Sequence, residues 1–354
     1  NVAGVARSRA AAVNAVTGAL ETWDPSPDGI VRVLEPSGAL VYMGGDFLNV
    51  GSTPRTYLAA VDAVTGAPTS WNPVLDGAVQ DIAVDGPIVY ASGAFIFTGS
   101  GRRDYVAAFD AATGIVTSWN PQPDGGVRCV EAGAGVVYLG GQFSNVSGVA
   151  REGLACVDSV SGRPTWFTAD VGGLTWALAL DGPVLYVGGL FSQVRGQPYL
   201  NLAAVDARSG VPFDWRPEPS GMVLDLACAN SWLFVCGYIG LIGGIYQPGH
   251  AALGEVPKLD VPDARARTLR LGPVRPTPAR GQAGFAFTLP SAGAVTLELL
   301  DLQGRRVASA LSGAWREAGP QSVSMRTAGV APGVYFARLA WNGQACVTRC
   351  VVMR

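Results

Sequence analysis

The sequence predicts an all-β chain: a β-propeller of four-stranded 48-residue blades followed by an Ig-like β-sandwich. Three observations predict it. The segments VNAVTG (13–18), VDAVTG (61–66), FDAATG (109–114), VDSVSG (157–162) and VDARSG (205–210) recur on one step with no insertion or deletion. A second marker, VYMGGDF at 41–47, returns on the same step as VYASGAF, VYLGGQF, LYVGGLF and LFVCGYI. Finally, 47 glycines and 24 prolines in 354 residues imply many tight turns.

Each unit reads as four short strands. In the third, GGVRCVEA alternates up to a Gly-rich turn at 133–135, and the apolar GVVYLGGQF follows. After a loop comes GLACVD, then the Asp-Ser-Val-Ser-Gly turn and a last stretch ending at Phe167. Asp in these turns bonds its own backbone and Gly takes positive φ. A W-N-P-x-x-D-G connector then carries the chain onward. Complete units span 28–71, 76–119, 124–167 and 172–215. The N-terminus adds a third and fourth strand at about 8–23, and the far end a first, second and third at about 221–255. Five blades closed by the N-terminal strands is the simplest count, with one third strand surplus. Upstream residues and six blades are the alternative, since Asn1 aligns with Asn145 in mid-unit.

The period stops near Gly254. The expected division is a propeller over 1–255, a Pro-rich charged linker over 256–267, and a sandwich of some seven strands over 268–354.

That last segment resembles the C-terminal sorting domain of the bacterial type IX secretion system and the related FlgD-type Ig-like domain. Thr288-Leu289-Pro290, Val295-Thr296-Leu297, Asp301–Arg305, Ala318-Gly319, Ala331–Phe336 and the basic-apolar end Thr348–Arg354 carry the resemblance. Arg275-Pro276-Thr277-Pro278 stands where many members have Pro-Asn-Pro. The resemblance implies passage across an outer membrane through secretion machinery that engages 268–354, and an extracellular or cell-surface location. The repeat part resembles bacterial extracellular propellers with a V-Y-x-G-G-x-F motif, which bears on fold and not on function.

Composition narrows the function classes. Net charge −2 offers no field for nucleic acid, and no apolar run reaches the length of a membrane span. The single histidine, His250, argues against His-ligated metal and His-dependent catalysis. No cofactor is expected. Calcium is conceivable only because Asp and carbonyls abound in the turns, and no D-x-D-x-D-G loop occurs. The six cysteines read as small buried hydrophobes, with no bridge between Cys129 and Cys156 or between Cys346 and Cys350.

Three sets of residues stand out. Asp28, Asp76 and Asp124 recur in the connectors, and Arg55, Arg103 and Arg151 in the loops after the second strands. They form a candidate charged ring at one mouth of the channel, with turn-forming Asp and Arg pairing across blades as the plainer reading. Asp81 and Asp225 share an innermost-strand position and offer the only basis for a polysaccharide-acting enzyme. The repeat symmetry breaks late: Tyr199 replaces the recurring Arg, Trp176 and Leu224 answer Arg32, Gln80 and Arg128, and the last loop is apolar. Trp176, Tyr199, Ile239, Leu241, Ile242, Ile245 and Tyr246 are therefore the candidate interface. The leading expectation is a non-catalytic surface module that binds protein or glycan. The alternative is a structural subunit of an extracellular filament or sheath, built from identical subunits.

Overall fold

The computed structural model describes residues 1–99, 101–254, 269–272, 274–289, 293–316, 319–342 and 344–353. The expected linker 256–267, and Pro290, Ala318 and Arg354 of the sorting-type motifs, lie outside the described residues. The chain is all-β, with no helix among the described residues and none long and apolar enough to cross a membrane. It divides into two compact units, Asn1–Pro257 and Lys258–Arg354.

Among its described residues the first unit contains five sheets of three or four strands in sequence register, besides four two-stranded hairpins. Their inner strands are Val31–Ser37, Val79–Asp85, Gly126–Gly133, Val171–Asp181 and Val223–Ala229. Their middle strands are Leu40–Gly45, Ile88–Gly93, Val136–Gln142, Val184–Val194 and Trp232–Gly237. The outer strands are Leu58–Asp62, Val106–Asp110, Leu154–Asp158, Leu202–Asp206 and His250–Gly254. In each sheet the middle strand pairs antiparallel with the other two.

Here the structure corrects the expected four strands. The fourth survives as a single bridge, such as Val61 with Pro68, Phe109 with Val116 and Val157 with Pro164. The hairpin itself closes as expected: the Asp62 carboxylate accepts from Val64 N (3.0 Å) and Thr65 N (2.7 Å). Gly66 is required there, because its φ is +78° and a Cβ would lie 2.8 Å from the Asp24 backbone. Thr69 N then reaches Ala60 O at 2.9 Å, but Trp71 N turns to the Thr69 hydroxyl at 3.2 Å instead of continuing the ladder. Trp119 repeats this with Thr117 in a unit that has Val116 where others have proline. The strand ends because its tryptophan leaves for the neighbouring sheet.

That departure joins the sheets. The Trp71 indole donates to Asp110 O (3.0 Å) in the next unit and meets Tyr42 edge-on at 5.0 Å. Trp119 does the same with Asp158 O and Tyr90. Tyr138 donates to Ala207 O at 2.6 Å. The V-Y-x-G-G glycine has its own cause: a Cβ on Gly140 would lie 2.5 Å from Cys129 Sγ and 2.6 Å from Thr175 Cγ2 of the following sheet. Internal sheets thus bury both faces, as the fully buried Leu58–Val61, Val106–Phe109 and Leu202–Val205 record.

A second correction concerns the N-terminus. Residues 8–23 do not complete the last sheet, which has its own outer strand, His250–Gly254. Ala10 and Trp23 pack instead against Met43, Ala59 and Val61 of the first sheet, and the Trp23 indole donates to Asp62 O. The stretch behaves as the outer half of a unit preceding the first sheet, because it carries that half's tryptophan and hairpin.

In the second unit, eight strands rather than some seven form one continuous hydrogen-bonded sheet around a core that includes Phe285, Phe287, Leu297, Leu299, Leu339 and Trp341. Arg275–Arg280 runs parallel to Gln344–Met353. The Asp301–Arg305 turn closes on the Asp301 carboxylate, which accepts from Gln303 N and Arg305 N, both at 2.9 Å. All six cysteines are free thiols. Cys129 and Cys156 sit on inner and outer strands of one sheet, partnered across the middle strand with Gly140 and Tyr138.

Candidate functional site

The inner strands of all five sheets line one cavity of about 660 Å³. Glu35, Asp81, Glu131 and Asp225 line it, together with Arg32, Arg128 and Trp176. Asp81 accepts from Ile82 N through one oxygen and from Val130 N of the next sheet through the other, both at 2.9 Å. Burial nonetheless pushes its carboxyl up to about 7, and Asp225 and Glu35 add to the rise. Glu131 is also pushed up to about 7, first by burial and then by Asp81. Burial raises Asp225 as well, and its carboxylate accepts from its own neighbour Leu226 N. Arg32 pairs with Asp46 at 2.6 Å, and Arg128 stacks over Trp176 at 5.1 Å. The cations that reach the cavity are thus engaged, and both oxygens of Asp81 serve the backbone.

The recurring charges at the loop ends also have internal partners. Asp28 accepts from Leu48 N (2.8 Å), Asn49 N (3.0 Å) and Asn49 Nδ2 (2.7 Å), and these bonds hold its carboxyl below the usual range. Asp124 repeats the arrangement with Ser144 and Asn145, and Asp76 accepts from Ile96 N and Phe97 N. The arginines do not pair across units, contrary to the plainer sequence reading. Arg151 donates to Ala150 O (2.7 Å) and Thr165 O (2.6 Å) of its own unit; Arg55 and Arg103 make the same two bonds. Among the described residues none of these arginines forms an ion pair with Asp28, Asp76 or Asp124. Each guanidinium satisfies one carbonyl that the departing fourth strand leaves open, that of Thr69, Thr117 or Thr165, and the carbonyl of the residue before the arginine. Arg151→Ala is therefore expected to lower stability by about 1.5–3 kcal/mol, as for bonds from a charged donor, with Arg151→Lys recovering only part. Urea titration of the three proteins checks this; an unchanged midpoint for Arg151→Ala would refute the clamp.

The seven interface candidates separate. Tyr199 is buried; its hydroxyl donates to Phe213 O at 2.8 Å, so it takes over the arginine's clamp under the guanidinium of Arg216. Ile239 and Ile242 are buried, and Trp176 lines the cavity. Leu241, Ile245 and Tyr246 are exposed, the last two by 64% and 73%. The structure adds Tyr238, 75% exposed, and Leu190 and Leu200 of the fourth unit. Between the fourth and fifth loops opens a groove of about 430 Å³ lined by Gly172, Leu190, Leu200, Asn201, Ser220 and Gly221. Gly172 and Ser220 occupy the positions of the lost aspartates. In a second column, that of Asp46, Ala94 and Gln142, stand Leu190 and Tyr238. That substitution was the available signal, and the sequence reading passed over it. Among the described residues no group of three or more His, Cys, Asp or Glu side chains is placed to hold a metal ion.

No family model matches the chain, and no curated protein matches it. Among solved structures, the computationally designed Ika8 protein aligns over 95% of this chain and 88% of its own at 13% identity and TM-score 0.45. The extracellular domain of a B. thetaiotaomicron protein described as a one-component system aligns over 92% of this chain and 50% of its own, at 9% identity and TM-score 0.34. A DUF4221 member from Bacteroides vulgatus aligns over 92% and 96%, at 8% identity and TM-score 0.29. At such scores and identities these likenesses decide nothing about this chain.

Proposed function

We propose that the protein is a non-catalytic binding module of a bacterial cell surface, a β-propeller carrying an Ig-like sorting-type domain. In this reading the five sheets are blades around the cavity. The second unit is the address by which secretion machinery passes the chain outward. The binding surface is the late rim, where Leu190, Leu200, Tyr238, Leu241, Ile245 and Tyr246 are all exposed. This concentration of apolar and aromatic side chains is the observation that carries the reading. The early loops at this end combine hydrogen-bonded charge with the exposed Leu48, Ile96 and Phe97, and add no exposed tyrosine to match Tyr238 and Tyr246; large exposed apolar patches mark interaction sites. Tyr in particular combines a stacking face with a hydroxyl, which suits either a protein or a glycan at the surface. Asp81, the acid on which hydrolysis would rest, spends both oxygens on backbone N–H groups, whereas a general acid or base needs an oxygen free to meet its substrate.

The test is adsorption of the labelled chain to outer-membrane vesicles and to purified surface polysaccharide. Tyr246→Asp with Ile245→Asp is expected to weaken adsorption by about tenfold or more while leaving the urea midpoint within ~0.5 kcal/mol. Unchanged adsorption would overturn the rim. Polysaccharide turnover abolished by Asp81→Asn would overturn the non-catalytic reading.

A further inference from the structure

The downstream face of the fifth sheet is uncovered. In the four preceding sheets the same columns are sealed by the next sheet: Tyr42, Tyr90, Tyr138 and Tyr186 are at most 3% exposed, and Leu58, Val106, Leu154 and Leu202 are fully buried. In the fifth sheet these columns hold Phe234, 46% exposed, and His250, exposed. Trp232 and the thiol of Cys236 are exposed beside them. The other flank is open in a matching way. Val13 stands in the column of the fully buried Val61, Val157 and Val205, yet is 53% exposed. The N-terminal half-unit already covers the first sheet.

We propose that the open face of the fifth sheet is a docking surface for a β-hairpin of this repeat's own inner- and middle-strand type, packed on it as each following sheet packs in the four internal interfaces. The inference rests on the ring reading of the first unit and is independent of the rim. Three features carry it. Four copies of the same interface exist in the molecule, each with the downstream face of one sheet on the upstream face of the next. The Val2–Val5 turn reproduces the Asn145–Val146/Val149–Ala150 hairpin, which directly follows a middle strand in the repeat. Finally, the replacements on the open face fit a covering sheet. Phe234 keeps the tyrosine ring, and Cys236 has the precedent of Ser92, which is fully buried in the same column.

The test grafts a copy of Asp28–Leu48, which contains no cysteine, directly ahead of Asn1 of the full chain. Maleimide labelling of each cysteine is followed by peptide mass mapping. In the ungrafted chain Cys236 should react quickly, and Cys129 and Cys156 slowly, because both are buried. The graft should slow Cys236 by about tenfold or more, since reaction then requires opening of the covered face. Val13→Asp in the grafted chain should restore fast reaction. A synthetic Asp28–Leu48 peptide added in trans should slow Cys236 saturably, and this reads the same proposal if the graft does not fold. Fast Cys236 in the presence of both graft and peptide overturns the docking site. So does a dimer of the ungrafted chain that protects Cys236 and survives the graft, because the occupant is then a second copy. Fast labelling of Cys129 and Cys156 in the ungrafted chain instead sinks the ring reading itself.

Discussion

Replacing Trp119 with Ala is expected to cost about 3–5 kcal/mol, the usual loss for a buried tryptophan. Its ring is 2% exposed, meets Tyr90 edge-on at 5.2 Å and donates its indole N–H to Asp158 O at 3.0 Å. Three losses therefore coincide: the transfer of the indole from water, the aromatic contact, and a partner for a turn carbonyl. The next unit provides an internal control. Phe167 occupies the column with Tyr138 at 5.7 Å and has no N–H to give. Trp119→Phe should accordingly lose only about 1–2 kcal/mol, mainly the hydrogen bond and some packing. Because sheets in such an array are coupled through neighbours, the alanine variant should broaden or split the unfolding transition rather than merely shift it. Equal costs for Phe and Ala would mean that the column fills space without linking the sheets.

Stability should fall as pH rises from about 4 to about 7 and flatten above. The folded carboxyls of Asp81 and Glu131 titrate near 7, well above their unfolded values, because burial disfavours their charged forms. The folded chain therefore holds protons that the unfolded chain has released across that window, and stability declines with pH. A rise from 3.8 to about 7 for Asp81 corresponds to at most about 4 kcal/mol. Below pH 4 the trend reverses. Asp28, Asp62, Asp110, Asp124 and Asp158 are held below the usual range by turn hydrogen bonds, and their contribution is lost as they protonate. A maximum near pH 4–5 follows. Asp81→Asn should remove a large part of the slope. It should also lose about 1–3 kcal/mol at pH 5, because the NH2 group that replaces one carboxyl oxygen cannot accept from Ile82 N or Val130 N. Urea midpoints from pH 4 to 8 for both proteins decide it; a profile rising toward pH 8 in the parent would contradict the burial of these acids.

The repeat register was legible because a strict step superimposes turns, glycines and tryptophans that each have a local cause. The Asp62–Gly66 hairpin is a property of five adjacent residues, and the tryptophan column announces packing by recurring. The fourth strand was not legible, since what ends it is the hydrogen bond of Trp71 N to the Thr69 hydroxyl, a choice made by the neighbouring sheet. The arginine clamp was missed for a similar reason. Sequence displays Arg55 and Asp28 as opposite charges in loops, and only the fold reveals that Arg55 donates to two carbonyls and that Asp28 accepts from Leu48 N, Asn49 N and the Asn49 amide. Tyr199 illustrates the cost: a departure from the repeat looked like freedom, yet its hydroxyl performs the arginine's task. Leu190 and Tyr238 were readable as large side chains in a column that otherwise holds Asp46, Ala94 and Gln142, but their importance depends on solvent reaching them. The open face around Phe234 and His250 had a signal too, since the chain's one histidine stands in an aliphatic column.

Hydroxyl-radical footprinting of the full chain, free and adsorbed on its surface target, tests the binding reading most directly. The account predicts protection of Tyr238, Leu241, Ile245 and Tyr246 on the late rim, with Trp176 in the cavity and the early rim around Asp46 and Gln142 unchanged. Protection centred on Trp176, or an adsorbed state in which the late rim stays as reactive as in solution, would contradict it.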